Sequence, residues 1–245
     1  MPPKSWLRPA ATLLALATAL PVLAQDNKDP APGEWTGSAE LGLAMAKGNS
    51  DSTTLVGKFN TKMQEDKWRY AFGGAFQYAE ADQEETSRRY ELFTTAGYSI
   101  TDRSYWFSSL RNERDHYAVN EYQWTYSLGY GIDTIKNDRT KLTFEVGPGY
   151  RWSKLQDLRV HENELIARGF MDFSHQFTDT TSVYDRLLVE SGSENTFIKN
   201  ELGVQVSMTQ ALALKVGLEA RHNTNTLPDT KKTDTLTTAN VVYAF

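Results

Sequence analysis

The sequence predicts an all-β fold, a transmembrane antiparallel up-and-down β-barrel of about twelve strands. Three observations predict it. Apolar and polar residues alternate with period two from Glu34 to Phe245. Short links between the runs alternate with longer ones. No stretch after residue 24 approaches the 18 consecutive apolar residues of a spanning helix. Hydropathy that is missing as a run but present at every second position is the signature of strands with one face in lipid.

The amino end stands apart. Lys4 and Arg8 form a basic start, Ala10 to Leu20 is apolar, and Val22 and Ala24 stand at −3 and −1 of a cleavage position before Gln25. This order predicts a secretory signal peptide over 1–24, the apolar run being too short for a retained anchor helix. Residues 25–33, with Pro30 and Pro32, form a short periplasmic leader. The barrel domain then runs over 34–245. Cleavage would remove two cations and no acid, leaving 24 Lys and Arg against 31 Asp and Glu, net −7. That balance excludes a typical nucleic-acid binder. The chain has no cysteine, so disulfides, thiolate zinc sites and cysteine nucleophiles are excluded.

The expected strands cover 34–46, 52–63, 67–80, 87–100, 104–117, 121–135, 140–153, 163–177, 182–191, 196–208, 212–224 and 234–245. The run from Lys141 to Trp152 is the clearest. Leu142, Phe144, Val146, Pro148, Tyr150 and Trp152 share one face; Lys141, Thr143, Glu145, Gly147, Gly149 and Arg151 share the other. A helix would scatter these residues around its circumference. An even strand number returns both termini to one side. The short links around 64–66, 101–103, 137–139, 178–181 and 209–211 read as periplasmic turns. The links over 81–86, 155–162 and 225–233 read as outer loops, with 118–120 a short exception. Five tryptophans fall near strand ends: Trp35, Trp68 and Trp106 at the periplasmic rim, Trp124 and Trp152 at the outer rim. Amphipathic rings favour the headgroup level, so these read as two girdles. A water-soluble sandwich would hold them in mid-strand.

Two local features predict backbone geometry. Lys47-Gly48-Asn49-Ser50 has the composition of a tight hairpin turn, with a ligand loop as the alternative. Pro148 between Gly147 and Gly149 removes a ladder donor, which predicts a bulge or bend. The closing strand places Val241, Tyr243 and the terminal Phe245 on its outward face. This ending resembles the signal read by the barrel-assembly machinery, so that machinery and periplasmic chaperones are expected partners during biogenesis. Outer-membrane lipid and lipopolysaccharide are the expected surroundings, and the expected location is the outer membrane of a Gram-negative cell with periplasmic termini.

The segments WTGSAELGLAMAKGNSDSTTL (Trp35 to Leu55) and FEVGPGYRW (Phe144 to Trp152) carry a family resemblance. With the spacing of aromatic strands through Phe245, the mature chain resembles the YdiY-type salt-induced outer-membrane proteins, the domain of unknown function 481 family. The resemblance implies an outer-membrane barrel and an association with salt. It implies no reaction, cofactor or site residue.

Parity places a mixed-charge set on the inward face: Arg69, Arg89, Glu91, Asp133, Lys141, Glu145, Arg151, Arg168, Asp172, Glu201, Lys215 and Glu219, joined by Glu40, Lys58, Lys62, Lys199 and Arg221. A mid-membrane Arg or Lys on the lipid face would cost about 2–4 kcal/mol, which fixes the facing. Asp133 and Lys141 flank the 137–139 hairpin and are expected to form a cross-strand ion pair. Two readings follow. The charges line a narrow pathway for ions or small solutes, or long paired side chains fill the lumen structurally. Inward glycines favour the pathway. A hydrolase would need a base beside a nucleophile. His116, His161, His175 and His222 lie near rims or loops, and neither a glycine-framed serine nor a His-Glu-x-x-His spacing occurs. Short outer loops weaken an adhesion or receptor role.

Overall fold

The computed structural model describes residues 31–46, 52–155, 160–226 and 231–245. Twelve strands follow one another: β1 (Trp35–Ala46), β2 (Ser52–Glu65), β3 (Trp68–Ala81), β4 (Glu84–Ser99), β5 (Ser104–Asp115), β6 (Asn120–Lys136), β7 (Thr140–Leu155), β8 (His161–Gln176), β9 (Thr181–Gly192), β10 (Thr196–Ser207), β11 (Leu212–Asn223) and β12 (Thr233–Ala244). Each pairs antiparallel with its chain neighbours, and β12 pairs with β1 to close the barrel. Closure leaves neither β1 nor β12 as a wholly free edge, as strands in hydrocarbon require.

Burial is inverted relative to a water-soluble protein. On the outward face Leu165 is 75% exposed and Val146 65%, whereas inward-facing Arg151 and Glu190 are each 1% exposed. Alternation is what allows this, since neighbouring residues on a strand point to opposite faces. The five tryptophans among the described residues lie outward near strand ends. Trp124 stands directly opposite Trp152, Trp68 packs edge-on against Tyr98, and Trp106 against Tyr130.

Some local expectations need correction. The link expected over 81–86 is a two-residue turn, because β3 and β4 extend further than the alternation suggests. Its residues Asp82 and Gln83 both have positive φ, 51° and 70°, as a type I′ hairpin requires. A bulge follows between Ala79 and Glu80. At Gly147-Pro148-Gly149 no residue is inserted: Ser127↔Gly149 and Tyr130↔Val146 keep one register. The glycines serve a close strand approach instead. A Cβ on Gly147 would lie 1.9 Å from the Leu128 carbonyl oxygen. The bulges on β6 lie at its ends, between Asn120 and Tyr122 and between Asp133 and Ile135. The hairpin at 47–50 and the cleavage position at Val22 and Ala24 lie outside the described residues.

Candidate functional site: the charged lumen

The inward faces bring most of the expected side chains together as ion pairs. At the periplasmic end Arg69 meets Asp133 at 2.9 Å and lies 4.5 Å over the Tyr105 ring. The bulge after Asp133 changes the partner expected for it. Asp133 faces Thr143, whose hydroxyl donates to it at 2.9 Å, while Lys141 stands opposite Lys136. Asp133 and Lys141 are therefore not directly opposite each other, because the bulge shifts the register by one residue. Arg186 and Asp172 pair at 3.3 Å and are about two-fifths exposed, so water reaches this end of the lumen.

Deeper in, Tyr105 donates to Glu145 at 2.8 Å and Arg168 pairs with the same carboxylate at 2.7 Å. Lys215 pairs with Glu40 at 2.8 Å. A continuous relay of alternating charge then crosses the interior. Lys58 meets Glu201 at 3.3 Å, Glu201 meets Lys199 at 3.0 Å, and Lys199 meets Glu91 at 3.0 Å. Arg221 links Glu91, at 3.4 Å, to Glu113. Arg111 links Glu113, at 2.5 Å, to Glu190. Arg151 links Glu190, at 3.5 Å, to Glu164, at 2.7 Å. Ten residues from eight strands thus form a chain from β2 to β8 with equal numbers of each sign.

The relay is packed as well as paired. The Phe197 ring, 1% exposed, lies between two guanidinium groups, 5.0 Å from Arg111 and 4.8 Å from Arg221. Cations over an aromatic face gain electrostatically when desolvated. Arg151 also donates to two backbone carbonyls, of Asn195 at 3.0 Å and Glu190 at 3.2 Å. Buried ions need this density of partners, because removal from water is otherwise too costly.

Above the relay the lumen opens into a vestibule of about 580 Å³. Arg89 and Asp115, paired at 2.8 Å, lie on its wall with Gln123, Ser153, Asn195 and Asn223. At mid-depth a cavity of about 10 Å³ lies beside Glu40, Lys58, Tyr184 and Glu219, about the volume one water centre needs.

The sequence reading omitted Arg111, Glu113, Glu164, Arg186 and Glu190. Fixing Trp106 outward gives the parity of β5 and would have found the first two. On β9 the signal is blurred, because Asp185 lies on the outward face with an Asn200 amide donating to it at 2.6 Å. Two histidines sit on outward faces near rims: His175 beside Thr140 at 2.8 Å and His222 beside Thr233 at 2.8 Å. Among the described residues no three His, Cys, Asp or Glu side chains are grouped to hold a metal.

The family model described as "Protein of unknown function, DUF481" matches residues 39–245. The uncharacterized protein YdiY of Escherichia coli (strain K12) is 23% identical over 220 residues, covering 88% of this chain and 86% of that protein. Among solved structures, the NanC porin is similar with a TM-score of 0.53 at 10% identity, over 84% of this chain and 98% of that one. The translocator domain of the autotransporter NalP from Neisseria meningitidis gives a TM-score of 0.49 at 12% identity, over 86% and 88%. At 10% identity the likeness to the NanC porin is one of fold.

Proposed function

The chain belongs to the DUF481 family, an outer-membrane barrel with periplasm-facing termini, and from that premise we propose that it is a narrow pathway for ions or small polar solutes, closed at rest by its own charged relay. The observation that carries this reading is the ten-residue chain of ion pairs from Lys58 to Glu164, lying beneath an open vestibule. A hydrated ion entering the vestibule meets Arg221, Glu113 and Arg111 in contact with one another and with Phe197. Passage requires these pairs to separate. The equal numbers of each sign along the relay argue against strong selectivity for either ion charge.

Planar-bilayer recording tests this. The wild-type barrel is expected to be closed for most of the record, with rare small steps. Arg111→Ala combined with Phe197→Ala removes the ring and one of its cations, and is expected to give frequent or sustained steps. A folded double variant as silent as the wild type would favour a lumen filled for structural reasons. A wild type with large, steady conductance would contradict closure. The inward set Arg69, Arg89, Asp133, Lys141, Glu145, Arg168, Asp172, Lys215 and Glu219 would line the two mouths and walls of this pathway. A role under salt or osmotic stress belongs to the same proposal, supported by the family resemblance alone. It predicts that the protein's abundance rises at high external salt, and unchanged abundance would count against it. We further propose that Val241, Tyr243 and Phe245, all outward, are the signal read during barrel assembly.

A further inference from the structure

Among the described residues the wall has one incomplete seam. Strand β1 pairs with β2 along its whole length, from Trp35↔Met63 to Ala46↔Ser52. Strand β12 pairs with β11 from Tyr243 up to Thr233. Between β1 and β12 the pairing runs only from Ser38↔Ala244 to Gly42↔Asn240. In the outer half, residues 43–46 and 233–239 are strand on both sides yet do not pair across the seam. Four residues at about 3.3 Å each make an unjoined stretch of ~13 Å.

Unjoined backbone edges are not tolerated against lipid unless they line a polar cavity or are covered. The residues here suit the first condition. Thr233, Thr235 and Thr237 alternate along the outward face of β12 and put polar side chains beside the unjoined backbone. Thr233, Thr235 and Leu236 also line the vestibule, so the β12 side of the seam borders it. Leu236 is an apolar side chain among inward-facing charges, opposite Glu219. At the foot of the stretch Asn240, 4% exposed, donates to Glu40 at 3.3 Å, while its carbonyl oxygen has no hydrogen-bond partner. That oxygen lies over Gly42, where a Cβ would stand 2.0 Å from it. A buried acceptor without a donor thus marks the point where the seam stops.

From this geometry we infer that the outer half of the β1–β12 seam is a lateral opening through which a single-chain amphiphile moves between the vestibule and the outer leaflet. The vestibule supplies cations and amides for a polar head. The seam supplies Leu43, Ala239 and Leu236 for one acyl chain. The inference is independent of ion passage through the relay, which lies deeper.

The natural absence of cysteine gives a clean test. If the register continued, Leu43 would face Ala239, within the Cα separation a disulfide needs. The Leu43→Cys/Ala239→Cys double variant, reduced or oxidised, is placed in phosphatidylcholine vesicles with a lysophosphatidylcholine carrying a diazirine on its chain. Reduced protein is expected to be photolabelled on inward-facing Leu236 or Thr238. Oxidation is expected to lower that labelling at least tenfold and leave labelling of outward Leu214 and Val216 unchanged. The reduced form also reports whether the substitutions themselves permit folding. Labelling confined to outward residues, or inward labelling indifferent to the disulfide, would overturn the inference. If the reduced variant does not fold, the wild type answers alone: inward labelling at Leu236 supports the opening and its absence refutes it.

Discussion

Glu190 is the position where the account of the lumen is most exposed to test. Its carboxylate accepts from Arg111 and lies 3.5 Å from Arg151, and the residue is 1% exposed. Glu190→Ala leaves Arg111 with Glu113 and Arg151 with Glu164. Removing one partner of a buried ion pair costs about 3–5 kcal/mol. Because each arginine keeps a second carboxylate, the lower end applies, about 3 kcal/mol. At 1.36 kcal/mol per factor of ten, this lowers the folded-to-unfolded ratio by roughly 150-fold. With a urea slope of about 3 kcal/mol/M the midpoint falls by about 1 M. The assay is reversible urea unfolding in short-chain lipid vesicles, followed by tryptophan emission and by heat-modifiable migration on gels. Arg186→Ala is the control. Its pair with Asp172 has the same chemistry but is about two-fifths exposed, so the loss is below about 1 kcal/mol. Equal midpoints for the two variants would mean that water reaches Glu190 as freely as Arg186, and the reasoning from occlusion would fail.

Gly147→Ala is expected to destabilise by about 1–3 kcal/mol through overpacking, since its Cβ would meet the Leu128 backbone, whereas Gly169→Ala has nothing within 4 Å and is expected to be neutral; urea midpoints check both. Phe245 exchanges two backbone hydrogen bonds with Gly37, at 2.7 and 3.0 Å, in the part of the closing seam that is joined. Deleting it is expected to lower the amount of heat-modifiable barrel recovered from cells, and undiminished recovery would show that neither the seam nor the assembly signal needs it. Exchanging Trp124 and Trp152 together for alanine removes a facing pair of the outer girdle. Its expected effect is a blue-to-red loss of headgroup-level emission with strand content by circular dichroism unchanged; loss of strand content would contradict a girdle role.

The strand list was legible because each side of the wall imposes its own chemistry. On β7, Leu142 to Trp152 alternate with Lys141 to Arg151, and hydrocarbon on one side with a polar lumen on the other leaves no other register. Trp35, Trp68 and Trp106 located one rim for the same reason. The register of Asp133 against Lys141 was not legible, because the bulge between Asp133 and Ile135 depends on how the hairpin closes, and composition does not record a one-residue insertion. The relay was legible only in part. Parity placed Glu91, Glu201 and Arg151 inside, but which inward side chains meet depends on the curvature and stagger of the closed barrel. Lys58 touching Glu219 joins β2 to β11 across the interior, a contact that no pattern within either strand contains. Asp185, a carboxylate on the outward face, broke the pattern of β9 and hid Glu190. The incomplete β1–β12 seam shows in the sequence only as a broken alternation on β12, where Thr233, Thr235 and Thr237 face outward and Leu236 inward.

Single cysteines at Ser108, Ser109 and Ser127 test the central claim with the smallest possible changes. Ser108 faces outward; Ser109, 8% exposed, and Ser127, 2% exposed, face into the packed interior. In vesicles, a fluorophore at position 108 is expected to be quenched by nitroxide on lipid chains. Cysteines at 109 and 127 are expected to resist a charged, water-soluble maleimide supplied from both sides, while one at Ser193 in an outer link reacts quickly. Lipid quenching of equal strength at 108 and 109 would contradict the alternation of the wall, and rapid aqueous labelling at 109 and 127 would contradict the closed lumen.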